Sequence, residues 1–193
     1  MIIRKLFKFE NAHVVRGCST KRCSQSIHGH SYKVEVLFES CYLDHGQMVY
    51  DFGLMKRHIK ELIDSFDHAT ALWDEDEPSY IKAMQTYSQR WILMPISPSA
   101  EQFARLLFCM IDKLMQQTKM VNGESGVSLY SIIVHETETG YAQAFKEDAY
   151  SELMGIIDLK KVIFSNGIMD EWSDDKLWEK LLLGEVFVNP KSV

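Results

Sequence analysis

Apolar and polar residues alternate along two stretches near the start of the chain, which is the spacing of half-buried β-strands. In the first stretch, one face carries Phe7, Phe9, Asn11 and His13. In the second stretch, one face carries His28, His30, Tyr32, Val34, Val36 and Phe38. Because alternate side chains project from the same side of a strand, the histidines are predicted to continue the core-facing sides of both strands.

A turn, a short strand and a helix are predicted after these two strands. LDHGQ has turn-forming residues, and MVYDF is predicted as a short third strand. A helix with Asp51 as its N-cap is predicted to follow. Its apolar positions fall at helical spacing: Phe52, Met55, Ile59, Leu62, Ile63 and Phe66.

The segment SPSAEQFARLLFCMIDKLMQQ predicts a second, longer helix. Ser97 or Ser99 is a suitable N-cap, and Pro98 suits the first turn. The apolar stripe of this helix consists of Phe103, Leu106, Leu107, Met110, Ile111 and Leu114. The next segment, VSLYSIIVHETETGYAQAFK, predicts a hairpin that turns at Thr139–Gly140.

This order of elements predicts an α+β fold, an antiparallel sheet with two helices on one face. We expect one domain over residues 1–146, with an insert at 69–96 in which SYIKAMQTYSQRW favours a helix. Residues 147–193 contain further apolar clusters and are predicted to form a C-terminal helical extension.

Composition and charge argue against nucleic acid and membranes as partners. A net charge of −6 and the absence of a long Lys/Arg run argue against nucleic acid. No run of about 18 apolar residues is present, so no membrane span is expected. The amino terminus does not have the pattern of a signal peptide. The four cysteines, Cys18, Cys23, Cys41 and Cys109, are therefore expected to be reduced thiols in a cytoplasmic protein.

The histidines of the two strands suggest a metal site. His28 and His30 lie two residues apart on one strand face, and His13 ends the neighbouring strand. Three imidazoles with an open fourth position are typical of catalytic zinc. A second interpretation is a structural zinc site formed by Cys18, Cys23 and the two histidines of the HGH motif.

Other residues are candidates for proton transfer and ligand binding. Cys23 follows Lys21 and Arg22, whose charges favour a thiolate. Asp67 and His68 are adjacent, and a carboxylate beside an imidazole can set its tautomer. Glu136 is predicted on an otherwise apolar face with Tyr130, Ile132 and Val134, where a buried carboxylate needs a partner. A ligand with two adjacent N–H donors would satisfy it, and a partly solvated strand end is the alternative.

Six segments resemble the 6-pyruvoyl-tetrahydropterin synthase family, in the order in which the family has them. They are FENAH, CSQSIHGHSYKVEV, MVYDFGLMK, FDHA, SPSAEQFA and VHET, spread over residues 1–146. The chain is most similar to the bacterial branch, the 6-carboxytetrahydropterin synthases of queuosine and deazapurine biosynthesis.

The resemblance implies the tunnelling fold (T-fold), in which subunits join their sheets into an oligomeric barrel, commonly a hexamer. It implies Zn²⁺ held by His13, His28 and His30. It also implies proton transfer by Cys23 with Asp67 and His68, often across a subunit boundary. Glu136 would bind the pterin edge, and Glu101, at the start of the second helix, would lie at the substrate.

The implied substrate is the pterin triphosphate 7,8-dihydroneopterin triphosphate. The bacterial branch converts it to 6-carboxy-5,6,7,8-tetrahydropterin, acetaldehyde and triphosphate. Four residues separate Cys23 from His28, against three in that branch and five in the pyruvoyl branch. The 6-pyruvoyl-tetrahydropterin synthase activity therefore stays an alternative, as does a non-catalytic structural zinc module. Ser99–Ala100 also stands where the family often has two hydroxyl residues.

Overall fold

The computed structural model describes all 193 residues. Nine strands are present: β1 Ile2–His13, β2 His28–Glu39, β3 Ala69–Trp73, β4 Trp91–Met94, β5 Thr118–Lys119, β6 Ser128–His135, β7 Tyr141–Ala144, β8 Ile163–Phe164 and β9 Phe187–Val188. Seven of them form one sheet in the order β7-β6-β2-β1-β3-β4-β8, and β5 pairs with β9.

Seven α-helices and two 3₁₀-helices accompany the strands. The α-helices are α1 Lys21–Gln25, α2 His58–Asp64, α3 Pro78–Tyr87, α4 Ala100–Gln117, α5 Lys146–Ala149, α6 Asn166–Met169 and α7 Leu177–Leu183. The 3₁₀-helices are Leu54–Lys56 and Leu159–Lys161. The fold is α+β, as predicted. None of the helices combines the length and the apolar character that crossing a membrane requires.

The alternation along β1 and β2 is confirmed. These strands pair antiparallel over their full length, with His13 opposite His28 and Asn11 opposite His30. The inward residues of β1, from Phe7 to His13, are all buried, and so are those of β2 from Tyr32 onward. The imidazoles of His28 and His30 lie at the partly open end of this face.

The sheet is mixed, and the prediction of an antiparallel sheet was wrong for two of its six strand pairings. β3 runs parallel to both β1 and β4. β3 and β4 are parallel because residues 69–94 form a β3–α3–β4 crossover, and a helical crossover returns the chain in the same direction. The helix predicted within SYIKAMQTYSQRW is present as α3.

The third strand predicted at residues 48–52 does not form, and the helix begins later than predicted. Val49 and Tyr50 are buried without strand pairing, and the Tyr50 ring packs 5.5 Å from that of Phe38. The Asp51 carboxylate accepts a hydrogen bond from the Gly53 amide at 2.7 Å, so it caps a turn rather than α2. Phe52 is 45% exposed, since it precedes the helix and does not share its apolar face.

Helix α4 confirms its predicted stripe, all of which is buried. Ser99 is the N-cap, and its Oγ accepts from the Gln102 amide at 3.4 Å. Pro98 precedes the cap instead of lying in the first turn. The helix packs against β6 and β7, and α2 packs against β1 and α4, so both helices cover the inward face.

The hairpin of β6 and β7 is present as predicted, and Glu136 N donates to Gly140 O at 3.1 Å across its turn. The pairing of β6 with β2 shifts register between Leu37 and Phe38. Tyr130 lies at this irregularity and is only half-buried, so the prediction that it shares the buried face with Ile132 was wrong.

Residues 147–193 contain short helices and also two short strands. β8 pairs with β4 and extends the main sheet, whereas β9 pairs with β5. Trp172 and Trp178 belong to the same hydrophobic core as the sheet and α4. The Trp172 indole donates to Ser65 Oγ at 2.9 Å, which connects this segment to α2.

Candidate metal and pterin site

Three histidines meet at the point where β1 ends and β2 begins. One nitrogen from each of His13, His28 and His30 can be chosen so that all three lie within 4.8 Å of one another. The His13 and His28 ring centroids are 4.5 Å apart, and that of His30 lies 5.3 and 5.2 Å from them. The cross-strand register brings them together, because it pairs His13 directly with His28.

Backbone carbonyls orient two of these rings. His13 Nδ1 donates to Pro98 O at 2.5 Å, and His28 Nδ1 donates to Ser26 O at 3.0 Å. Both bonds select the tautomer that leaves Nε2 as a lone-pair donor, as second-sphere bonds do for metal-ligating histidines. Burial is the largest influence on the pKa of His13 and lowers it, so this imidazole is neutral at pH 7.

The three imidazole nitrogens form a donor set that could hold a metal ion, and imidazole is a common ligand of divalent transition metals. No sulfur belongs to the group of possible ligands, because it consists of the three histidines alone. The alternative site that combined Cys18 and Cys23 with the HGH histidines is therefore not formed here.

Glu136 lies beside the three histidines, directly after β6. Its Oε1 is 3.8 Å from Nε2 of both His13 and His30, and it accepts a hydrogen bond from the Tyr32 hydroxyl at 3.2 Å. The side chain is 33% exposed, so it is accessible to a ligand. Burial, and then the Glu136 charge, raise the pKa of Tyr32, which keeps this hydroxyl a donor.

Cys23 lies on the short helix α1 and is half-buried. Its carbonyl accepts from the Val15 amide at 3.0 Å, which ties α1 to the chain that leaves His13. Cys23 and Glu101 are also among the acidic groups whose proximity raises the pKa of Tyr32, after burial and Glu136. These two residues therefore lie near the histidine site, with Glu101 exposed in the first turn of α4.

Asp67 and His68 form a pair, but no hydrogen bond joins either of them to Cys23 within the chain. His68 Nδ1 donates to Asp67 Oδ2 at 2.9 Å. His68 lines a depression of about 350 Å³ with Glu10, Gly29 and Ser31, outward residues of β1 and β2. Burial would raise the pKa of Asp67, but hydrogen bonds from the Glu10 amide and from His68 outweigh it and lower the pKa.

Sequence reasoning overlooked Tyr32 and the two orienting carbonyls. The strand alternation could have identified Tyr32, since it shares the face of His28 and His30. No local pattern predicts that the Pro98 carbonyl reaches His13, because 85 positions separate them.

Comparisons with known proteins identify relatives of this chain. Residues 2–147 match the family described as 6-pyruvoyl tetrahydropterin synthase. The protein named 6-carboxy-5,6,7,8-tetrahydropterin synthase of Helicobacter pylori strain J99 is 37% identical over 186 residues, 96% of this chain and 93% of that protein. The protein of the same name from Aquifex aeolicus is 29% identical, over 76% of this chain and 98% of its own.

Solved structures show the same fold. An uncharacterized protein from Wolinella succinogenes aligns with a TM-score of 0.59 at 19% identity, covering 76% of this chain and 98% of that one. The Caenorhabditis elegans 6-pyruvoyl tetrahydropterin synthase aligns with a TM-score of 0.50 at 21% identity, covering 75% and 94%. The family match over most of the chain and the extended identity to the Helicobacter protein establish that this chain belongs to the 6-pyruvoyl tetrahydropterin synthase family.

Proposed function

We propose that the chain is a 6-carboxy-5,6,7,8-tetrahydropterin synthase. This lyase converts 7,8-dihydroneopterin triphosphate to 6-carboxytetrahydropterin, acetaldehyde and triphosphate, in the biosynthesis of queuosine and related deazapurines. The observation that carries the proposal is the three-histidine cluster with Glu136 only 3.8 Å from two of its nitrogens. The name of the Helicobacter relative, which matches 96% of the chain, supports the same reaction.

Zn²⁺ would be held by His13, His28 and His30. When bound, it would supply Lewis-acid polarisation of a substrate oxygen. The hydrogen bonds from Nδ1 of His13 to Pro98 O and of His28 to Ser26 O leave the Nε2 atoms of both rings free to bind the ion. These bonds support the metal assignment because they would fix the tautomer and the orientation of the two rings.

Glu136 is proposed to bind the amino-pyrimidine edge of the pterin. Two carboxylate oxygens can accept a pair of adjacent N–H donors, which the 2-amino and ring N–H groups provide. Tyr32 donates to Oε1 and fixes the orientation of the carboxylate. Glu101, exposed at the start of α4, is proposed to contact the substrate from the other side.

Cys23 is proposed to exchange a proton with the substrate side chain, with Asp67 and His68 completing the relay. No hydrogen bond joins Asp67 or His68 to Cys23 within the chain, and His68 lines a depression with outward residues of β1 and β2 and with His30. We therefore propose that the Asp67–His68 pair acts on the site of a neighbouring copy in a homo-oligomer, a hexamer, located in the cytoplasm.

The test is to incubate the purified, zinc-loaded protein with 7,8-dihydroneopterin triphosphate and to identify the products by mass. We expect 6-carboxytetrahydropterin and acetaldehyde. Formation of 6-pyruvoyl-tetrahydropterin would establish the alternative activity of the family. Absence of any product would contradict the assignment as a lyase.

The Cys23→Ala variant separates a catalytic from a structural zinc site. We expect it to keep bound zinc, measured by atomic emission, because no sulfur lies among the possible ligands. We expect its turnover to fall about 100-fold or more, which is the usual size of a lost acid–base group. Loss of zinc in this variant would favour the structural module, whereas the Cys18→Ala control should keep both zinc and activity.

A further inference from the structure

Arg90, the last residue before β4, connects the Asp67–His68 turn to the carboxyl-terminal segment. Its side chain is 15% exposed. On one edge of the guanidinium, Nε donates to Asp67 O at 2.8 Å and Nη2 donates to Asp64 O at 2.9 Å. Nη1 donates to Gly167 O at 3.3 Å and lies 2.6 Å from a Glu171 carboxylate oxygen.

The turn that Arg90 holds has an unusual backbone. His68 has φ of +52°, in the left-handed region that residues with a Cβ rarely adopt. Such a conformation is strained and persists only where the surroundings impose it. Two further bonds dock the turn on β1: His68 N donates to Glu10 O, and Glu10 N donates to Asp67 Oδ1, both at 2.7 Å.

This backbone arrangement decides where the imidazole points. With Asp67 Oδ1 taken by the Glu10 amide, Oδ2 is free to accept from His68 Nδ1 at 2.9 Å. The Nε2 atom of His68 is then the nitrogen available for proton exchange, and the side chain is 75% exposed. The Arg90 carbonyl also accepts from the Thr70 amide at 3.0 Å, so Arg90 contacts the chain on both sides of His68.

We infer that Arg90 is a positioning residue whose guanidinium fork holds the Asp67–His68 turn in the conformation that proton transfer requires. The inference rests on the proposed function, in which His68 exchanges a proton. The planar fork is needed because Nε and Nη2 bind two carbonyls at once, which the single ammonium of lysine does not reproduce. Because Arg90 belongs to segment 69–96, this insert contributes to positioning His68 for proton transfer.

The kinetic test compares Arg90→Lys and Arg90→Gln with the wild type. We expect kcat to fall about tenfold or more, because a misplaced acid–base group loses that much, while KM and bound zinc stay the same. Glu171→Gln is the matched control. It removes the carboxylate on the tail side but keeps the bonds to Asp64 and Asp67, and we expect wild-type kcat.

A spectroscopic readout separates positioning from general destabilisation. In the wild type, ¹⁵N chemical shifts of the imidazoles should show that Nδ1 of His68 carries the proton when the ring is neutral. In Arg90→Gln we expect a mixture of both tautomers. The Arg105→Gln control removes another buried arginine, whose donors reach the carbonyls of Asp148, Met154 and Gly155, and should leave the His68 tautomer unchanged.

Wild-type kcat in both Arg90 variants, or an unchanged His68 tautomer, would overturn the inference. Equal kcat losses in Arg90→Gln and Arg105→Gln would also overturn it, because they would indicate a loss of stability alone. Failure of the proposed function is a different result. In that case the wild type makes no product, while the tautomer measurement still reports whether Arg90 sets the turn.

Discussion

At the scale of single residues, the three histidines of the candidate metal site differ in how their position and their orientation are determined. Their identity as a cluster follows from alternation, since His13 and the HGH pair continue the buried faces of adjacent strands. Their orientation does not follow from alternation. It depends on the carbonyls of Pro98 and Ser26, which are main-chain atoms with no side-chain signature.

Glu136 provides a prediction for an individual side chain. In Glu136→Gln the carboxylate loses its charge and one acceptor, so a pterin held by paired N–H donors should bind more weakly. Hydrogen bonds to a charged group contribute about 1.5–3 kcal/mol, which corresponds to a rise in Kd of about 10-fold to 150-fold. Partial exposure of this side chain places the expected change at the lower end of that range.

Calorimetric titration with a dihydropterin that carries no triphosphate measures this effect. Glu138→Gln is the control, because Glu138 lies exposed in the same hairpin turn and should bind the pterin as the wild type does. Unchanged affinity in Glu136→Gln would remove this residue from the pterin site.

Among the secondary-structure elements, the long helix α4 was predictable from its apolar face, whereas the short strand predicted at residues 48–52 does not form. The stripe of α4 is long enough to identify the helix, and all of its predicted apolar positions are buried. Residues 48–52 are predicted as a strand, but they pair with no other strand in the fold. Whether a short apolar run pairs depends on neighbours that its own residues do not specify.

The cap of α4 provides a prediction for an element. Ser99→Ala should lower the free energy of unfolding by about 0.5–1 kcal/mol, because the Gln102 amide loses its acceptor. Ser97→Ala should cause no loss, since the buried Ser97 Oγ has no hydrogen-bond partner. Urea denaturation measures both variants. A larger loss for Ser97→Ala than for Ser99→Ala would contradict this assignment of the cap.

For the molecule as a whole, the carboxyl-terminal residues join a core that the first 146 residues do not complete alone. Glu61 is one of the groups that hold this segment. Its two carboxylate oxygens accept from the Ser173 amide and from His58 Nδ1, both at 2.8 Å. Burial would raise the pKa of Glu61, but these bonds outweigh it and lower the pKa to about 2.

Stability at acid pH should depend on this carboxylate. Because the folded-state pKa of Glu61 lies below the ordinary glutamate value of 4.5, its contribution to stability is present above about pH 4.5. The contribution is lost as the pH falls toward 2. The difference in unfolding free energy between wild type and Glu61→Gln should therefore shrink over this range, as denaturant titrations at several pH values would show.

Glu77→Gln is the control for the acid titration, since Glu77 is exposed and its carboxylate makes no hydrogen bond. It should differ little from the wild type at any pH in this range. A difference between wild type and Glu61→Gln that stays constant from pH 5 to about pH 2 would contradict the linkage.

The amino-acid sequence alone specified which faces of β1, β2 and α4 are buried and that the three histidines lie together. Alternation and helical spacing are properties of neighbouring residues, so they can be read along the chain. Distant contacts have no such signature. Three features of the fold depend on such contacts between separate segments. They are the parallel pairing of β3 with β1, the hydrogen bond from His13 to the Pro98 carbonyl, and the bonds from the Arg90 guanidinium to the Asp67–His68 turn. They arise only when the whole core packs, since packing decides which backbone groups meet.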